Sequence, residues 1–356
     1  MTEAFRRSAE ARHFADAPSG QWWAFADSFG RNRLEPALLW FAGVDHRPDL
    51  AASVWRQTQR LDAYLAELGS PVQRWLLPLT LVWPAPPKEH VVARPPKAWH
   101  GRGVVPVAIL RDDDASDPSS TGVYVGIKGG SPSVNHAHMD IGGFVAELAG
   151  QRWAIDLGGE TYERAEAHFK PTGRSFWDMT DSSPRWSLAR YHNAGHNTLT
   201  IGNAQQNTDA TATFLSVTDE PNPTATLDLS PTYQGQAQRV LRTVHVLGSD
   251  RILFEDQLEG VAKASDVIWT WITDAQVDAE SDHRLKLTLD GVSVWLRTQN
   301  GSADQPRFAV EPFDAKRQPF ESPNPGVTRI RLISPPNPAG QHAFRVTLTS
   351  EAPAET

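Results

Sequence analysis

The 356-residue sequence contains no cysteine. This absence excludes a disulfide scaffold, a cysteine-ligated zinc finger, an iron–sulfur site and a cysteine nucleophile. No stretch approaches the roughly 20 apolar residues that a membrane-spanning helix needs, so no membrane span is predicted. The net charge of −8 argues against general binding to nucleic acid. The hydrophobic content of 40% is typical of a folded protein, and the length predicts about two domains.

The first part of the chain, residues 1 to about 85, has the pattern of helices. The clearest helix begins near Asp49, where apolar residues recur at helical spacing. Two shorter helical candidates, residues 21–29 and 34–41, are rich in aromatic residues. We expect these rings to form helix–helix core, with a sugar-stacking surface as the alternative. A proline-rich stretch at 84–98 then predicts a linker or a crossing loop.

The remainder of the chain has the pattern of short strands. Fourteen runs of β-forming residues are separated by turn signals such as Asp290-Gly and Asn300-Gly. Their short, fairly regular spacing predicts antiparallel sheets packed as a sandwich. The predicted strands are 104–110, 122–128, 144–148, 153–157, 198–201, 225–229, 240–247, 251–255, 267–272, 285–289, 292–297, 307–310, 326–333 and 343–348.

Histidine and aspartate residues form the main candidate site. His136, His138 and Asp140 alternate along the chain, so on an extended segment they point to one face. Such polar side chains on a sandwich strand are costly unless they are solvated or bound to something. Asp156 ends one predicted strand and His196 opens another. Histidine and aspartate from separate strands suit zinc, but ordinary surface or hydrogen-bonded histidines are the alternative.

The geometry of such a site depends on a bend in the chain. If residues 149–150 form a tight hairpin, Asp156 pairs opposite a residue near Gly143 rather than opposite His138. A flat sheet would therefore hold the two apart. We expect the glycine pair at 142–143 to bend or bulge the strand, which is a usual role of glycine in strands.

Two families carry related histidine patterns. The metallo-β-lactamase fold has His-x-His-x-Asp-His, but here Ile141 replaces the last histidine and the α/β alternation of that fold is missing. We keep it as a distant alternative. The segments Asn135-His-Ala-His-Met-Asp140, Trp153-Ala-Ile-Asp156-Leu-Gly-Gly and Gly195-His-Asn-Thr-Leu199 more closely resemble the heparinase II/III-like polysaccharide lyases. The order, spacing and residue types of the motif segments agree with that family.

This resemblance implies a two-part architecture. Residues 1–95 would correspond to the last part of an (α/α) toroid, and residues 96–356 to a large antiparallel β-sandwich. The family's toroid also supplies catalytic residues, including a tyrosine. The first 95 residues hold a single tyrosine, Tyr64, in a predicted helix, and it does not match that motif.

The resemblance also assigns roles to individual residues. The implied catalytic residues are His136, Tyr162 and Tyr191. Lys128 and Arg190 lie in or near the motif segments and could hold substrate carboxylates or sulfates, with a solvated surface charge as the alternative, and Asn135 is a third candidate for substrate binding. The implied ligands of one zinc ion, mainly structural in this family, are His138, Asp156 and His196.

The resulting functional prediction is a lyase that cleaves a uronic-acid-containing polysaccharide, of glycosaminoglycan or alginate type, by β-elimination. The alternative is a non-catalytic carbohydrate-binding or structural module that lacks most of the toroid. We expect an acidic polysaccharide or oligosaccharide as partner and no nucleic acid, and a homodimer is one assembly to consider. The N-terminal residues lack the apolar run of a signal peptide, so a periplasmic or secreted location is expected only if a longer parent carries one.

Overall fold

The computed structural model describes residues 2–28, 35–59, 78–83, 96–112, 121–298, 305–316 and 318–352. Within these ranges a few short helices precede seventeen strands, which form three antiparallel sheets. The predicted order of helices followed by a large antiparallel β-sandwich is therefore confirmed. The predicted boundary between residues 95 and 96 stays a prediction.

Among the described residues, four helices lie before the first strand: α1 (Glu3–Phe14), α2 (Ala37–Asp45), α3 (Pro48–Gln59) and α4 (Leu79–Val82). The side chain of Thr2 caps α1 by accepting a hydrogen bond from the Phe5 amide. The candidate at 34–41 is found shifted, because Pro36 suits only the start of a helix. The continuation of α3, Tyr64 and the proline-rich residues 84–95 lie outside the described residues.

The strands form sheets of five, eight and four members. The first sheet runs in chain order: β1 (Ala98–Gly101), β2 (Val107–Asp112), β3 (Val123–Lys128), β4 (Phe144–Leu148) and β5 (Gln151–Ala154). The second has the spatial order β12 (Gln276–Ser281), β13 (Arg284–Leu289), β14 (Val292–Thr298), β17 (His342–Thr349), β10 (Arg251–Glu259), β9 (Arg239–Val246), β8 (Thr224–Asp228) and β7 (Thr213–Thr218). The third has the order β15 (Arg307–Pro312), β16 (Thr328–Ser334), β11 (Val267–Thr273) and β6 (Leu199–Ile201).

All fourteen predicted strands are present, with shifts only at their ends. The three strands that the sequence pattern missed, β1, β7 and β12, lie at sheet edges. Most residues of β7 and β12 are exposed. Because an exposed edge strand needs no buried face, it lacks the hydrophobic alternation on which the prediction rests.

One continuous hydrophobic core joins the three sheets. Phe144 of β4 stacks on Phe254 of β10, with ring centroids 4.3 Å apart. Trp271 of β11 packs beside them and donates an indole hydrogen bond of 2.8 Å to the carbonyl of Trp153 on β5. This core fixes β4, β5 and β11 relative to one another, and the loops of the candidate site leave from the ends of β3 to β6.

The predicted helix at 21–29 is wrong. Residues 21–28 include no helix and instead pack on the outer face of the first sheet, where Trp22 forms an isolated β-bridge with Asp16. Trp23 lies against Gly126 of β3, with ring atoms 2.5 to 2.9 Å from the position that a Cβ would take. Burying this ring in a gap that only glycine provides outweighs the helical tendency of the segment.

A further helix, α5 (Tyr162–Phe169), and three 3₁₀ turns, Lys170–Thr172, Pro184–Ser187 and Asn193–Gly195, lie between β5 and β6. They carry several residues of the candidate site. Among the described residues, no helix is long and apolar enough to cross a membrane.

Candidate functional site

The histidine motif lies on a loop between β3 and β4, which corrects the expectation of an extended strand. His136 has a left-handed backbone, with φ of 63°, and its side chain is 47% exposed. His138 and Asp140 are buried. The expected bend is present, because the Gly143 amide donates to the Asp140 carbonyl over 2.8 Å. One motif therefore supplies both an exposed histidine and a buried pair.

Three buried residues form a cluster that could hold a metal ion. The ligand atoms of His138, Asp140 and His196 lie within 4.8 Å of one another. His138 Nδ1 and His196 Nε2 are buried and have no hydrogen-bond partner in the described part of the chain. Burial lowers the pKa of His138 to about 4, so this ring is neutral at pH 7. Two unpartnered imidazole nitrogens beside a carboxylate fit a metal site.

Asp156, a predicted metal ligand, contacts His196 of this cluster. Its Oδ2 atom is 3.0 Å from His196 Nδ1, and its Oδ1 atom accepts from the Gly158 amide over 2.9 Å. Burial opposes ionisation of Asp156, but the neighbouring His196 lowers its pKa overall. The structure thus places Asp140 in the cluster with the two histidines, and it places Asp156 against His196 Nδ1, where its carboxylate can orient that ring.

Lys128, predicted to bind substrate, is inside the protein. Its side chain is 2% exposed and its ammonium forms an ion pair with Asp140. This position leaves Lys128 no surface for a polysaccharide, because it serves as counter-charge to a buried carboxylate.

The central residue of the site, Asp27, was not predicted. Its Oδ1 atom lies 3.1 Å from His138 Nε2 and accepts from the Tyr191 hydroxyl over 3.1 Å. Its Oδ2 atom lies 2.9 Å from His136 Nδ1 and accepts from the Tyr162 hydroxyl over 2.8 Å. One carboxylate therefore joins all three predicted catalytic residues to the predicted metal ligand His138.

A buried guanidinium completes the surroundings of Asp27. Arg185 is 0% exposed, approaches Asp27 Oδ2 at 3.4 Å and donates to the Ala137 carbonyl over 3.2 Å. Burial would raise the pKa of Asp27, but His138, Arg185 and Tyr162 together hold it well below its usual range. Asp27 is therefore ionised and can only accept hydrogen bonds.

The two tyrosines differ in access. Tyr191 is fully buried beneath Arg185, whose guanidinium lies 4.0 Å from the centre of the Tyr191 ring. Tyr162 is half-buried, and its hydroxyl is 3.0 Å from His136 Nδ1. Burial and the hydrogen bond to Asp27 raise the pKa of Tyr162 to about 12, so its hydroxyl keeps its proton at neutral pH.

Arg190, also predicted to bind substrate, stabilises a loop instead. It donates to the carbonyls of Leu157 and Gly159, each over 2.9 Å, and pairs with Glu160 at 3.4 Å. Asn135, the third such residue, is exposed next to His136. Trp177, which was not predicted, is 39% exposed and lies edge-on to both His136 and Tyr162. The open edge of the site is thus formed by His136, Tyr162, Trp177 and Asn135.

A family model described as "Heparinase II/III-like, C-terminal" matches residues 116–341. The chain belongs to the heparinase II/III-like family. Heparinase III is a structural neighbour with a TM-score of 0.60 and 13% identity, covering 99% of this chain and 49% of that one. Heparan sulfate lyase from Pedobacter heparinus has a TM-score of 0.57 and 16% identity, covering 96% of this chain and 46% of that one. At these identities the likeness shows the fold.

This heparinase II/III-like chain spans about half the length of those neighbours. A search of curated protein sequences gives no match. The matched region contains every site residue described above except Asp27, which precedes it. No sequence feature connected Asp27 to His136, since 109 positions separate them and the segment around Asp27 has a helical pattern. The contact exists only because residues 21–28 pack on the first sheet.

Proposed function

We propose that this chain is a polysaccharide lyase that cleaves uronic-acid-containing polysaccharide by β-elimination. The observation that carries the proposal is the pair formed by His136 and Tyr162. The two side chains lie 3.0 Å apart at the open edge of the site, and both contact the carboxylate of Asp27. A histidine beside a protonated tyrosine is an acid–base pair of the kind that this elimination needs.

The reaction divides between these two groups. His136 takes the proton from C5 of the uronate, and the electrons of the C5–H bond form a C4=C5 double bond. The C4–O4 bond breaks, and the hydroxyl proton of Tyr162 goes to the leaving O4. Because the pKa of Tyr162 is raised to about 12, the tyrosine suits the role of proton donor better than that of base.

Substrate binding is proposed for the exposed groups of the same edge. Asn135 lies beside His136 and carries an amide that can donate to the uronate carboxylate, which stabilises the negative charge that develops beside C5. Trp177 offers a ring for packing against a sugar. The substrate class is a glycosaminoglycan or alginate, and two structural neighbours named heparan sulfate lyases favour the glycosaminoglycan.

The metal ion is proposed to be Zn²⁺, held by His138, Asp140 and His196. Two imidazole nitrogens and a carboxylate oxygen are ligands that zinc prefers. When bound, the ion would supply positive charge beneath the site and connect the loop of the histidine motif to the turn before β6. The acid–base chemistry stays with His136 and Tyr162.

The test is an assay for the unsaturated uronate, which absorbs in the ultraviolet. The purified chain is incubated separately with heparan sulfate, chondroitin sulfate, hyaluronan and alginate. We expect absorbance to rise with one class, and His136→Ala or Tyr162→Phe to lower the rate by about 10²- to 10⁴-fold. Asp278→Asn, on an exposed edge strand, is the matched control and should leave the rate unchanged.

A second candidate, a non-catalytic carbohydrate-binding module, is favoured by one observation. The chain covers only 44 to 49% of its structural neighbours. If none of the four polysaccharides yields an unsaturated product while one of them binds measurably, the module is the correct function and the lyase proposal fails for this chain.

A further inference from the structure

We propose that Asp27 is a positioning residue that sets the tautomers of two histidines at once. Through Oδ1 it holds His138 so that Nδ1 is free for a metal ion, and through Oδ2 it holds His136 so that Nε2 is free to accept a proton. The part concerning His136 rests on the proposed function. The part concerning His138 does not.

The two ring nitrogens of His138 have different surroundings. Nε2 lies 3.1 Å from a carboxylate oxygen, which can only accept, so the proton of the neutral ring lies on Nε2. Nδ1 is buried and has no partner among the described residues, and a proton placed there would have no acceptor. Nδ1 is therefore the ring nitrogen with a free lone pair, and because His138 clusters with His196 and Asp140, Asp27 leaves the cluster the atom that it needs.

In His136, Asp27 contacts the other type of ring nitrogen, Nδ1. Nδ1 lies 2.9 Å from Asp27 Oδ2, so this nitrogen carries the proton and Nε2, on the far side of the ring, carries the lone pair. The ring is 47% exposed, which leaves Nε2 accessible to a substrate. A carboxylate that holds an imidazole through Nδ1–H is the arrangement that orients the base in a catalytic triad.

The N-terminal segment is anchored so that Asp27 stays in this place. Arg152 of β5 donates to the carbonyls of Trp22 and Gln21, and Trp23 lies over Gly126. Ala26 has a positive φ of 55°, an unfavourable backbone for a residue with a side chain, and its amide lies 3.3 Å from Asp140 Oδ2. The segment at residues 21–28 and the cluster around Asp140 therefore hold each other in position.

A different role would be that of an internal substitute for the substrate. The carboxylate of Asp27 would then occupy the place of a uronate carboxylate and leave when substrate binds. We favour positioning because Asp27 contacts the deeply buried Tyr191 and His138, which a sugar at the open edge would not reach.

The first measurement is made on the unmodified chain. Protein labelled with ¹⁵N-histidine is examined by long-range ¹H–¹⁵N NMR without metal, with assignment from His136→Gln and His138→Gln. We expect His138 in the Nε2–H form and His136 in the Nδ1–H form. Finding His138 in the Nδ1–H form overturns the proposal without any Asp27 variant.

The second measurement compares variants of Asp27. Asp27→Asn keeps the shape, but its NH₂ group must face one of the two histidines, so one of them should change tautomer. Asp27→Ala should leave both histidines as mixtures of their two tautomers. In both variants the affinity for Zn²⁺, measured by competition with a chromophoric chelator, should fall about 10- to 100-fold. Asp278→Asn is the matched control, because it makes the same chemical change on an exposed edge strand away from the site.

These measurements distinguish a positioning role of Asp27 from the role of an internal substitute for the substrate. Unchanged tautomers together with zinc affinity within about twofold of the unmodified chain would overturn positioning. Tighter binding of a uronate oligosaccharide by Asp27→Asn, with unchanged tautomers, would show the substitute role instead. Neither the NMR nor the zinc measurement needs substrate turnover, so a failed lyase assay leaves the conclusion about His138 standing.

Discussion

Two carboxylates, Asp27 and Asp156, have the same relation to the buried cluster. Each contacts one ring nitrogen of a cluster histidine: Asp27 lies 3.1 Å from His138 Nε2, and Asp156 lies 3.0 Å from His196 Nδ1. The nitrogens that remain are the two without a partner in the described part of the chain. Outer carboxylates of this kind fix the orientation of a ligand ring and increase its basicity.

We predict that Asp156→Asn weakens zinc binding about 10- to 100-fold while the chain stays folded. The amide cannot supply the negative charge that supports a metal-bound His196, although it preserves the shape. Competition titration with a chelator measures the change, and Asp278→Asn serves as the control. A zinc affinity equal to that of the unmodified chain would show that the charge of Asp156 does not support the metal site.

A separate prediction concerns pH and His192. Its Nδ1 atom accepts from the Ala194 amide over 3.0 Å, which requires an unprotonated nitrogen. Burial, followed by the charges of His196 and Arg329, lowers the pKa of His192 from 6.5 to about 4. Between these values the unfolded chain binds a proton that the folded chain does not. The contribution of His192 to the free energy of unfolding is therefore complete above pH 6.5 and is lost as the pH falls towards 4.

The matched variant is His192→Asn, because an amide oxygen can accept the same hydrogen bond without titrating. Urea unfolding is measured above pH 6.5 and again midway between 6.5 and 4. We expect the variant to gain stability relative to the unmodified chain at the lower pH. If the difference in unfolding free energy between the variant and the unmodified chain is the same at both pH values, His192 does not cause the pH dependence.

At the scale of elements, the docking of residues 21–28 on the first sheet decides whether the site forms. Trp23 takes the space over Gly126, and Asp27 follows four residues later. The contact depends on the absence of a single Cβ atom. Sequence patterns do not reveal such a contact, because the two partners are far apart in the chain.

We predict that Gly126→Ala displaces Trp23, destabilises the fold by about 1 to 3 kcal/mol through overpacking, and weakens zinc binding by moving Asp27. Thermal unfolding and the chelator titration measure the two effects. Gly103→Ala is the control, because a Cβ there has no atom within 4 Å. Lost stability with unchanged zinc affinity would show that the segment does not support the site.

The strands show which elements can be predicted from the sequence. All fourteen predicted strands exist, since a buried face requires regularly placed apolar residues. The helix expected at 21–29 does not form, because its aromatic residues gain more by packing on the sheet than a helix would provide. Tertiary burial often reverses local preference in this way.

At the scale of the whole molecule, a buried ion pair connects the sheets to the site. Arg242 of β9 and Asp256 of β10 are both 0% exposed and form two hydrogen bonds. Arg242 also donates to the carbonyls of Gly142 and Asn197, over 2.5 and 3.0 Å. These residues follow Asp140 and His196 in the chain, so the eight-stranded sheet holds both loops of the cluster.

We predict that metal binding and global stability change together. Because the cluster connects two loops that the core holds, Zn²⁺ at about 100 times its Kd should stabilise the chain by about 2.7 kcal/mol. Removal by a chelator should lower the Tm, and added Zn²⁺ should restore it. His196→Ala should have a lower Tm that no longer responds to the metal. An equal response in this variant would place the ion elsewhere.

The sequence by itself determined the sandwich, nearly all its strands, the family and the motif residues His136, His138 and His196. These follow from local periodicity and from short motifs, which need no knowledge of distant contacts. Only the tertiary structure decided that Asp140 clusters with His138 and His196, that Lys128 is buried, that Arg190 pairs with Glu160, and that Asp27 lies at the centre. The physical reason is that side-chain direction in loops depends on turns and on long-range packing, which hydrophobic periodicity does not encode.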